Sequence, residues 1–247
     1  MMGRLGARIL TWLDGQGASR GWAWWPRWSA VVPLLLGGVV TCFLLTFLFF
    51  LLASEIVEDR RLRLDLRLDR WVRAHDYPWL TSAMHLVTDL ASTAVAIALW
   101  LLIVGWLVWQ RRRRAAIIVA VMWPLGQGLV ALIKVIYHRA RPELGPGEVP
   151  FGGYSFPSGH TFTAVVTYGL LAALIAERVP ERVRWIPWAV AALVVAGVGY
   201  SRVYLGAHYP VDVLGSLLLG GAWLRAMLLA LSRATPPRSE TGPSGSS

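Results

Sequence analysis

Charge is scarce in this chain, and lysine is almost missing. Only 15% of the 247 residues are Asp, Glu, Lys or Arg, and Lys134 is the single lysine among 24 Lys and Arg residues. A soluble domain of this length carries roughly a quarter of its residues as charges. With a mean hydropathy of +0.53, the chain does not fit that class. Cysteine is nearly absent too. Cys42 alone precludes an intrachain disulfide and leaves the redox compartment unread. There is also no soluble basic domain and no groove-entering motif, so the net charge of +10 is not the footprint of a nucleic-acid binder.

What is present is long apolar sequence. Runs near 20 residues long with few charges read as membrane-spanning helices. Six are found, at residues 31–53, 90–109, 115–133, 161–176, 185–200 and 213–231. Arg225 interrupts the last and is expected to snorkel toward the interface. The first run starts too late and is too long for a secretory signal, and it lacks a small-residue cleavage site. The expected fold class is all-α: a polytopic membrane helical bundle of six transmembrane helices. Its organisation is a cytoplasmic or interfacial segment at 1–30, a six-span domain at 31–232 and a disordered cytoplasmic tail at 233–247.

Arginines set the expected orientation. Arg4, Arg8, Arg20 and Arg27 precede span 1, with Trp22, Trp24, Trp25 and Trp28 close to it; Arg111, Arg112, Arg113 and Arg114 join spans 2 and 3; Arg178, Arg182 and Arg184 join spans 4 and 5. The positive-inside rule places these segments, and both termini, in the cytoplasm. The connector 55–76 opposes this, because it carries six arginines yet falls outside. It also carries six acids. Leu64, Leu68 and Trp71 fit an amphipathic surface helix between spans 1 and 2, and a lone strand there would leave unpaired edges.

Three polar motifs interrupt the apolar sequence: Lys134-x6-Arg141-Pro142, Pro157-Ser158-Gly159-His160, and Ser201-Arg202-x5-His208-x3-Asp212. In the six-span topology all three fall at one membrane face, opposite the arginines at 111–114. Phosphoryl transfer needs charge neutralised on the non-bridging oxygens, an in-line nucleophile and a proton for the leaving oxygen. Lys134, Arg141 and Arg202 are cations suited to the first task, arginine by its fork of donors. Ser158 is an expected helix N-cap, and Gly159 lets the backbone come close to a ligand where free N–H groups attract anions. Asp212, four residues after His208, can fix the imidazole tautomer. Either His208 or His160 could then be nucleophile or acid on these grounds alone.

The motifs match, position for position, the signature of the type 2 phosphatidic acid phosphatase superfamily, over roughly residues 80–230. The resemblance implies a helical bundle and metal-independent hydrolysis through a phosphohistidine, with no cofactor. It implies His208 as nucleophile, Asp212 as its partner and His160 as general acid. Lys134, Arg141, Ser158, Gly159 and Arg202 resemble the phosphate cradle. Of the other polar residues, His138 and Arg139 are expected to be solvated loop, Asp89 a helix cap, and Tyr204 and Tyr209 part of an aromatic belt. Gly37, Gly38 and Gly105 are expected to admit close helix packing.

The expected function is an integral membrane lipid phosphatase acting on a polyprenyl diphosphate, phosphatidylglycerophosphate or phosphatidic acid. Its site is expected on the extracytoplasmic side of the cytoplasmic membrane. The partners are the lipid phosphate and the membrane itself, not nucleic acid. A phosphotransferase using the same phosphohistidine is the alternative. A non-enzymatic transporter or scaffold is a weaker one, and six apolar runs argue against a soluble vanadium haloperoxidase.

Overall fold

The computed structural model describes residues 25–57, 77–142 and 152–234. The proposed surface helix within 55–76, and almost all of the N-terminal segment and tail, lie outside them. Within the described residues the chain is helical and contains no strand. The helices are α1 (Trp25–Val57), α2 (Pro78–Asp89), α3 (Thr93–Trp109), α4 (Arg113–Tyr137), α5 (Gly159–Ala176), α6 (Trp185–Tyr204) and α7 (Pro210–Ala234), with a short 3-10 turn at Glu181–Val183. Two units divide the chain, residues 1–40 and 41–247. The first contains, where described, the opening part of α1. The second holds everything that follows.

Six segments are long and apolar enough to cross a membrane: Leu36–Ser54, Pro78–Trp109, Arg113–Tyr137, Gly159–Ala176, Glu181–Tyr204 and Pro210–Arg233. The number agrees with the sequence reading, but the second span is longer and broken. Residues 78–89 form their own helix, and the chain turns at Leu90 and Ala91 before Ser92 opens α3. Hydropathy hides this break, because the residues at the turn are themselves apolar or small. Leu36, Phe43, Leu102, Ile117 and Leu193 are among the many large apolar side chains that are more than half exposed. With hydrocarbon as solvent, such faces carry no penalty, and every helix satisfies its own backbone.

The centre of the second unit is α5. It is 61% buried over its spanning window, against 17–39% for the others, and it packs most extensively on α6 and α7. Its sequence explains this position: small residues and threonines alternate with Phe162, Val166 and Leu170, which are fully or almost fully buried. A Cβ at Gly169 would stand 2.3 Å from Leu224 Cδ2 on α7, so the bare glycine is what lets Leu224 lie against α5 in this position. Gly105, by contrast, has nothing within 4 Å of where a Cβ would stand. Nor has Gly37. Gly37 and Gly105 are therefore not the packing glycines expected, and close approaches are made instead at Gly126, Gly169, Gly199 and Gly215. Two polar contacts tie α4 to α5, a buried one from Trp123 Nε1 to Thr167 Oγ1 at 3.0 Å and a part-buried one from Thr163 Oγ1 to Gln127 Oε1 at 3.2 Å.

Candidate active site

The C-terminal ends of α4 and α6 and the N-terminal ends of α5 and α7 come together, and the three motifs sit on those four ends. Lys134 lies in the last turn of α4, which closes at His138 in a left-handed conformation (φ 45°). Its Nζ donates to the carbonyl of Tyr154 at 2.6 Å and points toward that of Ser155 at 3.4 Å. The lysine thus holds the loop that leads into α5. Arg141 follows in irregular chain before Pro142. Its Nε and Nη2 donate to the carbonyls of Gly153 and Gly152 at 3.1 and 2.9 Å. Its Nη1 donates to Ala207 O at 2.7 Å and lies 3.5 Å from His208 Nε2. One planar guanidinium therefore joins the first motif, the loop and the third motif.

Ser158 is the N-cap of α5, with Thr161 N donating to its Oγ at 3.4 Å and Thr161 Oγ1 within 3.0 Å. Its own N–H donates to the backbone carbonyl of Asp212 at 3.3 Å, which latches the start of α5 to the start of α7. The space where a Gly159 Cβ would project is open, and the helix N-terminus there presents its dipole to any anion in that space. His160 is half-buried and lies within electrostatic reach of His208, Arg202, Arg141 and Lys134. Arg202 is 6% exposed in the last turn of α6, and its Nη1 donates to Thr88 Oγ1 at 3.0 Å. The α2 helix, which the apolar-run reading left out of span 2, thus braces this arginine.

His208 occupies the turn between α6 and α7, its N–H donating to Arg202 O at 3.1 Å. It is 3% exposed, and Asp212, one turn on, is fully buried. His208 Nδ1 stands 3.6 Å from Asp212 Oδ2 and 3.5 Å from Ser155 Oγ. A guanidinium only donates, so its contact with Nε2 makes that nitrogen the acceptor. The proton is then on Nδ1, facing Asp212 and Ser155. Burial pushes the His208 imidazole down to about 4 although Asp212 pulls it the other way. At neutral pH the ring is therefore uncharged, with Nε2 open on the side of the cations.

The sequence reading missed two groups at the centre of this arrangement. Arg139, expected to be solvated, ion-pairs through Nη1 with Asp212 Oδ1, and its side chain is only 13% exposed. Its guanidinium also lies 4.5 Å from the centre of the Tyr209 ring. Ser155 donates its hydroxyl to Asp212 Oδ2. The backbone N–H of Tyr209 donates to the same oxygen at 2.9 Å. Arg139 sits inside the variable stretch of the first motif, where no spacing rule marks it, and Ser155 stands in a loop string of no periodicity. Tyr204 also departs from expectation. It is 7% exposed rather than interfacial, and its hydroxyl accepts from Tyr77 N at 3.2 Å. His85 and Asp89 are exposed, as is His138, whose ring packs edge-on against Tyr154 at 4.5 Å. His75 lies outside the described residues. Among the described residues, no group of three or more His, Cys, Asp or Glu side chains is placed to hold a metal ion.

Comparison with known proteins gives consistent results. The model of the PAP2 superfamily matches residues 115–236. Phosphatidylglycerophosphatase B of Bacillus subtilis is 27% identical over 70% of this chain and 87% of its own length. The undecaprenyl-diphosphatase BcrC of the same organism is 35% identical over 59% of this chain and 72% of its own. A solved structure of a transmembrane PAP2-type phosphatidylglycerolphosphate phosphatase from Bacillus subtilis superposes with a TM-score of 0.68 at 25% identity. It covers 76% of this chain and 94% of that one.

Proposed function

From a chain that belongs to the PAP2 superfamily and is a multi-pass membrane phosphatase, we infer a lipid phosphate phosphatase that works through a phosphohistidine at His208. The observation that carries this reading is the orientation of His208, with Nδ1 toward Asp212 and Nε2 toward Arg141. In the proposed first step Nε2 attacks the terminal phosphorus in line, and as the P–N bond forms the bond from that phosphorus to the leaving oxygen breaks, releasing the lipid alcohol from a monoester or the lipid monophosphate from a diphosphate. Asp212 stabilises the positive charge that develops on the ring. Lys134, Arg141 and Arg202 neutralise the non-bridging oxygens, with Ser158 and Gly159 at the mouth of α5 completing the cradle. His160 gives its proton to the departing oxygen. In the second step a water, deprotonated by His160, attacks phosphorus and breaks the P–N bond. Inorganic phosphate leaves, and both histidines return to their starting states.

The substrate class is a lipid carrying a phosphomonoester or diphosphate. Polyprenyl diphosphate, phosphatidylglycerophosphate and phosphatidic acid are the candidates, and the named activities of the relatives support the first two. A site at the ends of spans suits such a molecule, because its tail stays in hydrocarbon while its phosphate reaches the cations. The arginines at 111–114, 178, 182 and 184 lie at the opposite helix ends. By the positive-inside rule they support an extracytoplasmic site, with both termini in the cytoplasm.

The deciding experiment uses purified protein in detergent with a panel of lipid phosphates. Wild type is expected to release free phosphate and, when quenched with labelled substrate, to carry acid-labile label on histidine. His208→Ala is expected to lose both. Turnover at the wild-type rate by His208→Ala overturns the nucleophile assignment. Phosphate recovered only on a second lipid or sugar identifies a phosphotransferase instead.

A further inference from the structure

The helix ends remote from the candidate active site hold a second cationic feature. A cavity of about 850 Å³ opens there between the ends of α3, α5 and α7 and the start of α6. Arg112, Arg178, Arg184 and Glu177 line it, with Trp188 and Leu228 supplying apolar wall. Arg112 Nη1 pairs with Glu177 Oε2 at 2.8 Å and Arg178 Nη1 lies 3.7 Å from the same oxygen, so one carboxylate is shared by two of the three guanidinium groups. The arginines come from two stretches of chain, Arg112 from the turn between α3 and α4 and the exposed Arg178 and Arg184 from the connector between α5 and α6.

A groove of about 310 Å³ adjoins this cavity, and Leu174 and Arg178 belong to both. Its remaining wall is apolar, formed between α3 and α5 by Leu99, Leu102, Ile103, Trp106, Leu171 and Ile175. Arg178 is fixed at the junction. Its Nη1 donates to Leu174 O at 2.7 Å, and its guanidinium lies 4.0 Å from the centre of the Trp106 ring. An arginine that only snorkelled from a span end would need no such seat. The arrangement offers cations at the polar end and hydrocarbon-lined space running from them toward the interior of the membrane.

We propose that this cavity and groove bind one anionic glycerophospholipid of the arginine-side leaflet. Its phosphodiester sits among Arg112, Arg178 and Arg184, and an acyl chain lies along Leu102, Ile103 and Ile175. The occupant is a lipid rather than a free anion because the groove supplies a second, apolar element that a soluble phosphate does not use. It is anionic rather than zwitterionic because two guanidinium charges remain beyond the one Glu177 neutralises, and a choline group would meet them unfavourably. The site is separate from the catalytic one. The two lie at opposite ends of α5, whose 18 residues span about 27 Å at 1.5 Å per residue.

The test is native mass spectrometry of the full chain in a neutral detergent, with dioleoylphosphatidylglycerol, dioleoylphosphatidylcholine or inorganic phosphate added. Wild type is expected to retain one phosphatidylglycerol that survives delipidation, and no phosphatidylcholine. Arg184→Gln, at an exposed side chain, and Leu102→Trp, which fills the groove without touching charge, are each expected to lower that retention at least fivefold. Both variants keep wild-type phosphatase activity, so this outcome is independent of the catalytic assignment. Undiminished retention in both variants overturns the proposal. So does inorganic phosphate displacing the bound lipid as well as fresh phosphatidylglycerol does, since that would reveal an anion site without a tail.

Discussion

Replacing Arg139 by glutamine separates electrostatic tuning of the site from mere support of it. Asp212 is fully buried and accepts from Arg139, Ser155 and the Tyr209 N–H while facing His208. Arg139 therefore neutralises part of the negative charge that His208 would otherwise feel. Without it, the carboxylate draws a proton onto the imidazole more strongly, and the His208 pKa rises. A unit charge one ion-pair width behind Asp212 acts on the ring with roughly 2 kcal/mol at an effective dielectric of about 20. That corresponds to between about one and two pKa units. The nucleophile must be unprotonated, so the rise carries the acid limb of the kcat/KM profile upward by the same amount. The other charges facing His208, Lys134 and Arg141, are unchanged, as is His160. Arg139→Lys keeps the charge and is expected to hold the limb near its wild-type position. The assay is phosphate release from a lipid phosphate in mixed micelles across a pH series. An Arg139→Gln profile that falls evenly, with its acid limb superposed on wild type, would refute the reasoning and leave Arg139 a structural tie.

Three further outcomes are expected. His160→Ala should slow formation of the phosphohistidine from an alkyl lipid phosphate by about 10²–10⁴-fold but scarcely slow its formation from an aryl phosphate whose leaving group needs no proton, as read by rapid quench. Equal losses on both would remove its role as acid. Activity should persist in excess chelator, and a loss restored by magnesium would contradict the proposed mechanism. Gly215→Ala forces a methyl group to within 2.5 Å of Cε2 of the fully buried Phe156 ring and should cost about 1–3 kcal/mol by overpacking, read as a lower thermal midpoint in detergent. Gly105→Ala, with open space around it, should lose nothing, and equal losses at the two positions would contradict the packing account.

The sequence carried the spans because membrane helices are apolar all round, and length alone then marks them. It carried the motif residues because their spacings are fixed within short stretches. It could not carry Arg139 or Ser155, whose common partner, Asp212, lies 73 and 57 residues away. A charge in a loop looks the same whether it meets water or a buried carboxylate. The break between α2 and α3 was equally hidden, since a turn made of Leu90, Ala91 and Ser92 leaves the hydropathy high. Glycine roles were misjudged for a related reason. Close approach depends on the facing helix, so Gly169 is intelligible only once Leu224 is known to oppose it.

The bond from Ser158 N to the Asp212 carbonyl has a consequence for descent. The mouth of α5 and the turn bearing His208 cannot drift independently, because each sets the height of the other. A lineage that altered one loop for a bulkier head group would have to adjust its counterpart in the same stroke. Chimeras that graft only one of the two from a distant homologue should insert and fold, yet stay silent as catalysts.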